Sequence, residues 1–263
     1  MKKKDYLVIF FAMLLIPSFF VFKPILQAIF PNMDSYSATL LRRALASTAV
    51  VIFIMVLRLS EGVGTFSLRL NKGVLALLPV AVVSFIPLFN GINIPSAWML
   101  VSTIGISLMI GFYEELIFRG ILLSKLAERG RKSALLVSSA LFSLTHLLNM
   151  VGGADILDTI VQCVFAFGFG LVVASYKFDC DNLLAIIIVH ALWDFNFKIA
   201  DTNFTDTVDI IHSLGLVLVL LWGIYLLFSK HIKNASEFEA EELEAEELEA
   251  TEPETAEVES AEL

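Results

Sequence analysis

Through most of the first 230 positions polar residues are scarce, and they come in short groups that separate long apolar runs. A helix needs about 20 predominantly apolar residues to cross a bilayer. Eight stretches approach that length, with boundaries good to a few residues: 6–26, 38–57, 73–89, 97–126, 133–150, 156–176, 182–199 and 210–228. The groups between them carry turn chemistry, with Pro31-Asn32, Gly62 and Gly64, the 91–95 stretch, Gly130 and Gly152-Gly153. The pattern predicts an all-α polytopic membrane bundle with about eight transmembrane helices. The first stretch follows Lys2-Lys3-Lys4 and has no small-residue cleavage site at the right distance, so it reads as a retained helix.

Composition agrees. The 263 residues are 57% hydrophobic and only 17% charged, and the mean hydropathy is +0.81. Soluble domains are about 45–50% apolar and about 25% charged. The net charge of −9 misleads, because the acid is gathered in Glu-Ala-Glu-Glu-Leu units near the C-terminus. Such a run repels itself and buries no core. Residues 1–233 therefore read as a membrane-embedded domain and 234–263 as a disordered, acidic cytoplasmic tail. Of the 18 Lys and Arg residues, 14 fall on the side of the N-terminus. Lys23, Arg42, Arg43 and Lys198 fall on the other side, which puts both termini in the cytoplasm. Cys163 and Cys180 lie about 25 Å apart along one helix, too far for a disulfide.

Ionisable groups inside a membrane are costly and mark functional sites by default. Here they cluster in three stretches: Glu114-Glu115 with Arg119, Phe142 with His146, and His190 with Asp194. Glu115 and Arg119 are four residues apart and share a helix face, which suits an ion pair. Glu114 is turned about 100° from Glu115 and points elsewhere. His190 and Asp194 share the same i, i+4 spacing, so that the carboxylate would orient the imidazole. Phe142, one turn before His146, would wall its pocket; Trp193, near His190, is a second candidate substrate contact. If the fourth helix continues to Leu126, Glu114 lies about 18 Å from its inner end, His146 about 20 Å and His190 about 12 Å from theirs. The three groups then meet in the inner half of the bilayer. Taken singly, each has a structural reading: a packing histidine, a structural ion pair, a helix-end acid. His212 and His231, near helix ends, keep that reading.

The order Glu-Glu-x-x-x-Arg, Phe-x-x-x-His, His-x-x-x-Asn/Asp resembles the CPBP family, which holds type II CAAX prenyl proteases and bacteriocin-processing or immunity proteins. The resemblance covers about residues 97–200 and implies peptide-bond hydrolysis inside the membrane. Carried over by position, it makes Glu114 the general base with His146 assisting, His190 and Asp194 the oxyanion stabilisers, and Glu115 and Arg119 the orienting pair. Asp194 departs from the Asn common at this position, because an ionised carboxylate only accepts hydrogen bonds. Glu114, His146, His190 and Asp194 also form a mixed nitrogen and oxygen set suited to zinc or another divalent metal. The metal-free, glutamate-dependent mechanism is favoured, with no cofactor required.

The expected partners are the lipid bilayer and a membrane-associated peptide or protein substrate, with no nucleic acid. Prenylated peptides and bacteriocin or pheromone precursors are the candidate substrates, and a bacterial cell membrane is the expected location. A non-catalytic immunity or scaffold protein of the same family is the alternative. An ion or proton relay is a third reading, disfavoured because the chain shows no internal repeat and the titratable groups all lie in its second half.

Overall fold

A computed structural model describes residues 2–67, 72–201 and 205–229. The acidic tail and His231 lie outside the described residues. Within them the chain is helical, apart from isolated bridges between Thr65 and Asn182 and between Ile92 and Ala200. The eight apolar stretches all become helical segments, though not all as single rods.

The first is split into α1 (Lys3–Leu15) and α2 (Ser18–Ile29). Pro17 cannot continue the first helix, because it has no N–H to donate. The second stretch is α3 (Ser35–Leu57), followed by the short α4 (Ser60–Val63). The third is irregular, with α5 (Leu78–Val83) flanked by 3-10 turns at Lys72–Leu77 and Ile86–Asn90. Pro79 and Pro87 each remove a backbone donor there.

The fourth stretch is the longest rod, α6 (Ala97–Glu115), which runs without a turn through a π-helical segment (Leu116–Leu122) into α7 (Leu123–Leu126). The expectation that this helix reaches Leu126 therefore holds. Then come α8 (Arg131–Thr145), the single turn α9 (Leu148–Val151), α10 (Ile156–Cys180), α11 (Leu183–Ile199) and α12 (Asp206–Phe228). By length and hydropathy, six of the described segments can each cross a membrane, and the α1–α2 pair supplies a seventh if counted as one bent span. At 17 residues, α11 sits at the short limit of what a bilayer requires.

The start signals are local. Asp34, Ser96, Asp155, Asn182 and Thr205 each precede a long helix and accept a backbone N–H from its first turn. The ends are tied across helices. At one end, Arg131 binds the Asp179 carboxylate at 3.1 and 2.8 Å and the Leu226 carbonyl at 3.1 Å, joining α8, α10 and α12. At the other, the Asn93 N–H donates to Ile199 O at 2.7 Å and the Asp201 N–H to Gly91 O at 3.0 Å.

The rod from α6 to α7 and helix α10 run through the middle of the bundle, and all seven residues of the π-helical segment are buried. Backbones approach closely where side chains are absent. A methyl group at Gly168 of α10 would lie 2.6 Å from the Cα of Leu220 on α12, an approach only glycine permits. Outward faces are apolar instead. On α12, Ile210, Leu214, Val217, Leu221, Tyr225 and Phe228 are all exposed at helical spacing. A stripe of that length is a liability in water and an ordinary lipid-facing surface in a bilayer. The chain is an integral membrane protein.

Candidate active site

Three consecutive residues at the end of α6 point to three different neighbours, as 100° per residue requires. The Tyr113 hydroxyl lies 2.5 and 3.0 Å from the carbonyl oxygens of Leu15 and Ile16, the last carbonyls of α1 at the Pro17 break. Glu114 turns towards α3 and α11. Glu115 turns into the core.

Glu115 and Arg119 form the predicted pair. Arg119 Nη1 lies 3.2 and 3.1 Å from the two Glu115 oxygens, and both side chains are fully buried. Arg119 sits inside the π-helical segment, immediately after the two glutamates. Such segments are rare and concentrate at functional sites. From there Arg119 Nη2 donates to the Gly170 carbonyl of α10 at 3.3 Å, and its guanidinium lies 4.4 Å from the centre of the Phe142 ring of α8. A desolvated cation held over an aromatic face gains about 2 kcal/mol or more.

His190, the eighth residue of α11, is reached through Gly111. A methyl group at Gly111 would lie 2.9 Å from the Ile187 carbonyl oxygen and 3.4 Å from the His190 Cβ, so α11 packs directly on the α6 backbone. That approach brings His190 Nδ1 to 2.6 Å from Glu115 Oε1. A carboxylate buried against Arg119 accepts here, so Nδ1 carries the hydrogen. The other nitrogen, Nε2, lies 3.8 Å from Glu114 Oε2, close enough for one water to touch both. Glu114 is one-fifth exposed, and its second oxygen lies 4.0 Å from Arg43 Nη1 of α3.

His146 stands just past the last residue of α8, where the helix gives way to a turn. Its Nδ1 lies 3.1 Å from the Phe142 carbonyl, which can only accept; Nδ1 therefore donates and Nε2 carries the lone pair of the neutral ring. Phe142 is buried, and its ring meets His146 edge-on at 5.0 Å and His190 at 5.9 Å. It is a wall between the two histidines, as expected for His146, and not an open contact surface for a ligand.

Several sequence expectations need correction. Asp194 does not orient His190. Its carboxylate accepts from Lys198 Nζ at 2.7 Å, one turn further on, while Glu115 holds the imidazole. Trp193 stacks on Phe165 with ring centres 4.1 Å apart and lies beside His212. Arg43, assigned to an outer segment in the charge count, is the ninth residue of α3 and reaches Glu114. Arg119, counted with the inner segments, is in the core, so neither arginine reports orientation.

The proposed metal ligands do not assemble. Among the described residues no three His, Cys, Asp or Glu side chains are grouped to hold a metal ion, and Asp194 is engaged by Lys198. As placed, Glu114, His146, His190 and Asp194 do not form a metal-ligand group.

The signal for Arg43 was present in the sequence. Ala, Val, Ile, Leu and Met dominate the chain around it, and an arginine nine residues into such a helix is not at its edge.

No curated protein matches the chain. Residues 96–196 match the sequence model of the family described as type II CAAX prenyl endopeptidase Rce1-like. That segment contains α6, the π-helical turn, α8, α10 and most of α11, and with them the Glu114-Glu115, Arg119, His146 and His190 positions. Over residues 96–196, the chain is similar to the Rce1-like family of type II CAAX prenyl endopeptidases.

Proposed function

We propose that this protein is an intramembrane endopeptidase that uses Glu114 as its general base. The observation that supports this best is the Glu114–His190 gap of 3.8 Å, with the far nitrogen of His190 held by Glu115 at 2.6 Å. A carboxylate and an imidazole facing one another across a partly exposed space can flank a scissile carbonyl, the carboxylate on the water side. Glu114 takes a proton from water, assisted by His146, and the resulting hydroxide attacks the carbonyl carbon. The developing oxyanion accepts from Nε2–H of His190 as the doubly protonated imidazolium, whose Nδ1–H is held by Glu115, itself paired with Arg119. Each pre-set donor of that kind contributes about 3–4 kcal/mol. The proton on Glu114 then passes to the leaving amine. Asp194 enters only indirectly, through Lys198 at the outer turns of α11.

The substrate is a membrane-associated peptide. Prenylated peptides and bacteriocin or pheromone precursors are the chemistries to assay, and both termini of the enzyme face the cytoplasm in this reading. A largely apolar, open groove of about 330 Å³ lies between α3 and α6, lined by Ala44, Ser47, Thr48, Val51, Met109 and Phe112. The test is cleavage by purified protein in detergent or liposomes. Wild type should cleave. Glu114→Gln and His146→Ala should fold normally and lose about 10²–10⁴ in rate. Full activity in Glu114→Gln overturns the assignment in favour of a non-catalytic binding protein.

A further inference from the structure

Three carboxylates stand around His190, and each faces a cation. Glu115 takes Arg119 and Asp194 takes Lys198, each from the next turn of its own helical rod. Glu114 has no such option. The positions three and four residues away on its rod are Ile110, Gly111, Ile117 and Phe118, all without charge, and Arg119, five residues on in the π-helical segment, is paired with Glu115. The cation that faces it comes from another helix: Arg43 of α3, whose Nη1 lies 4.0 Å away in a charge contact and not a hydrogen bond, with both side chains four-fifths or more buried.

The neighbouring arginine shows that this is a matter of direction and not of local charge. Arg42 folds back on α3, donating from Nε to the Ala38 carbonyl at 3.3 Å and from Nη2 to Thr39 Oγ1 at 2.9 Å. Arg43, turned by 100°, crosses to α6. The crossing is built in. A methyl group at Gly105 of α6 would lie 2.9 Å from Leu40 Cδ1 of α3, and Ser47 Oγ lies 3.5 Å from the Met109 carbonyl.

We propose that Arg43 is a positioning residue for catalysis, holding the Glu114 carboxylate in place from a separate helix. This rests on the peptidase reading of the same site. An unheld glutamate has three free torsions, and a general base that wanders by an ångström loses much of its advantage. The interaction acts on the base and not on the bound peptide, so its loss lowers kcat with little change in KM.

The experiment compares wild type, Arg43→Gln, Arg43→Lys and Arg42→Gln for peptide cleavage. Thermal unfolding of wild type, Arg43→Gln, Glu114→Gln and the double variant follows in the same detergent. Arg43→Gln should lose about tenfold or more in kcat with KM nearly unchanged. Arg43→Lys should recover most of it, and Arg42→Gln should match wild type. The double variant should melt no lower than the worse single variant, because the two residues share one contact. Wild-type kcat in Arg43→Gln overturns the proposal, as do equal losses in Arg42→Gln and Arg43→Gln, or strictly additive shifts in melting. If wild type cleaves no peptide, the peptidase reading falls by itself. The melting cycle still decides whether Arg43 holds Glu114.

Discussion

His190 Nδ1 and Glu115 Oε1 are 2.6 Å apart although 75 positions separate them in the chain. The carboxylate that receives this hydrogen bond is the one that pairs with Arg119, so the orientation of His190 and a fully buried ion pair are a single unit. Removing one member of a fully buried pair leaves the other charge uncompensated, which costs about 3–5 kcal/mol. Arg119→Met and Glu115→Gln should each lower thermal stability by an amount of that order, and the double variant should be more stable than Arg119→Met alone. Unfolding in detergent by differential scanning fluorimetry checks this. Simple additivity of the two losses would show the pair is not coupled.

Gly111 decides how close α11 comes. A side chain there meets the Ile187 carbonyl oxygen at 2.9 Å, and backbone cannot yield as a flexible side chain can. Gly111→Ala should cost about 1–3 kcal/mol of stability and about tenfold or more in activity, because His190 moves with α11. Gly120 lies nine residues along the same rod, and the nearest atom to its added methyl is 3.6 Å away. Gly120→Ala should be tolerated. Equal behaviour of the two variants in melting and cleavage assays would contradict this account.

Asp194 accepts from Lys198, while the hydrogen bond to the His190 imidazole is made by Glu115. Asp194→Asn should keep the fold and stay within about threefold of wild-type rate, whereas His190→Ala should lose about a hundredfold or more. A loss in Asp194→Asn as deep as in His190→Ala would return Asp194 to direct contact with the reacting groups.

Asp34 caps α3 from the segment between two spans. Ser37 donates to it from its hydroxyl and backbone N–H, and the Tyr36 N–H adds a third bond. These donors, the Ser37 hydroxyl foremost, hold the Asp34 carboxyl below its usual value. A lowered folded value means the cap's contribution is complete above the unfolded pKa of about 3.9 and fades as pH falls through the folded value. Asp34→Asn should therefore show a flatter melting profile than wild type between about pH 5 and pH 2. A profile identical to wild type would mean Asp34 contributes no pH dependence.

Much of the fold was legible because bilayer physics writes it in long apolar runs. All eight runs are helical, and the turn residues mark their ends. What was not legible has local causes. Pro17 splits the first run, and prolines 79 and 87 with their missing donors break the third into short turns. The π-helical segment leaves no mark in a run as uniformly apolar as Leu116-Ile117-Phe118. In the site, the Glu115–Arg119 pair was readable because both partners share a helix. The His190 partner was misread for the same reason: spacing offered Asp194, which sits four residues from both His190 and Lys198. The full charge of Lys198 won it, and Glu115 approached from another helix. Arg43 was hidden by the assumption that positive charge near a span belongs to its edge.

Tyr113, Glu114 and Glu115 each reach a separate part of the bundle: the broken first span, α3 and α11. One register step or a small rotation of α6 would disengage all three together. If the proposed peptidase reading holds, the site is complete only once every one of those segments has docked, which makes assembly itself the safety catch. A half-inserted chain carries Glu114 and Glu115 without the contacts to Arg43 and His190 that the folded bundle gives them.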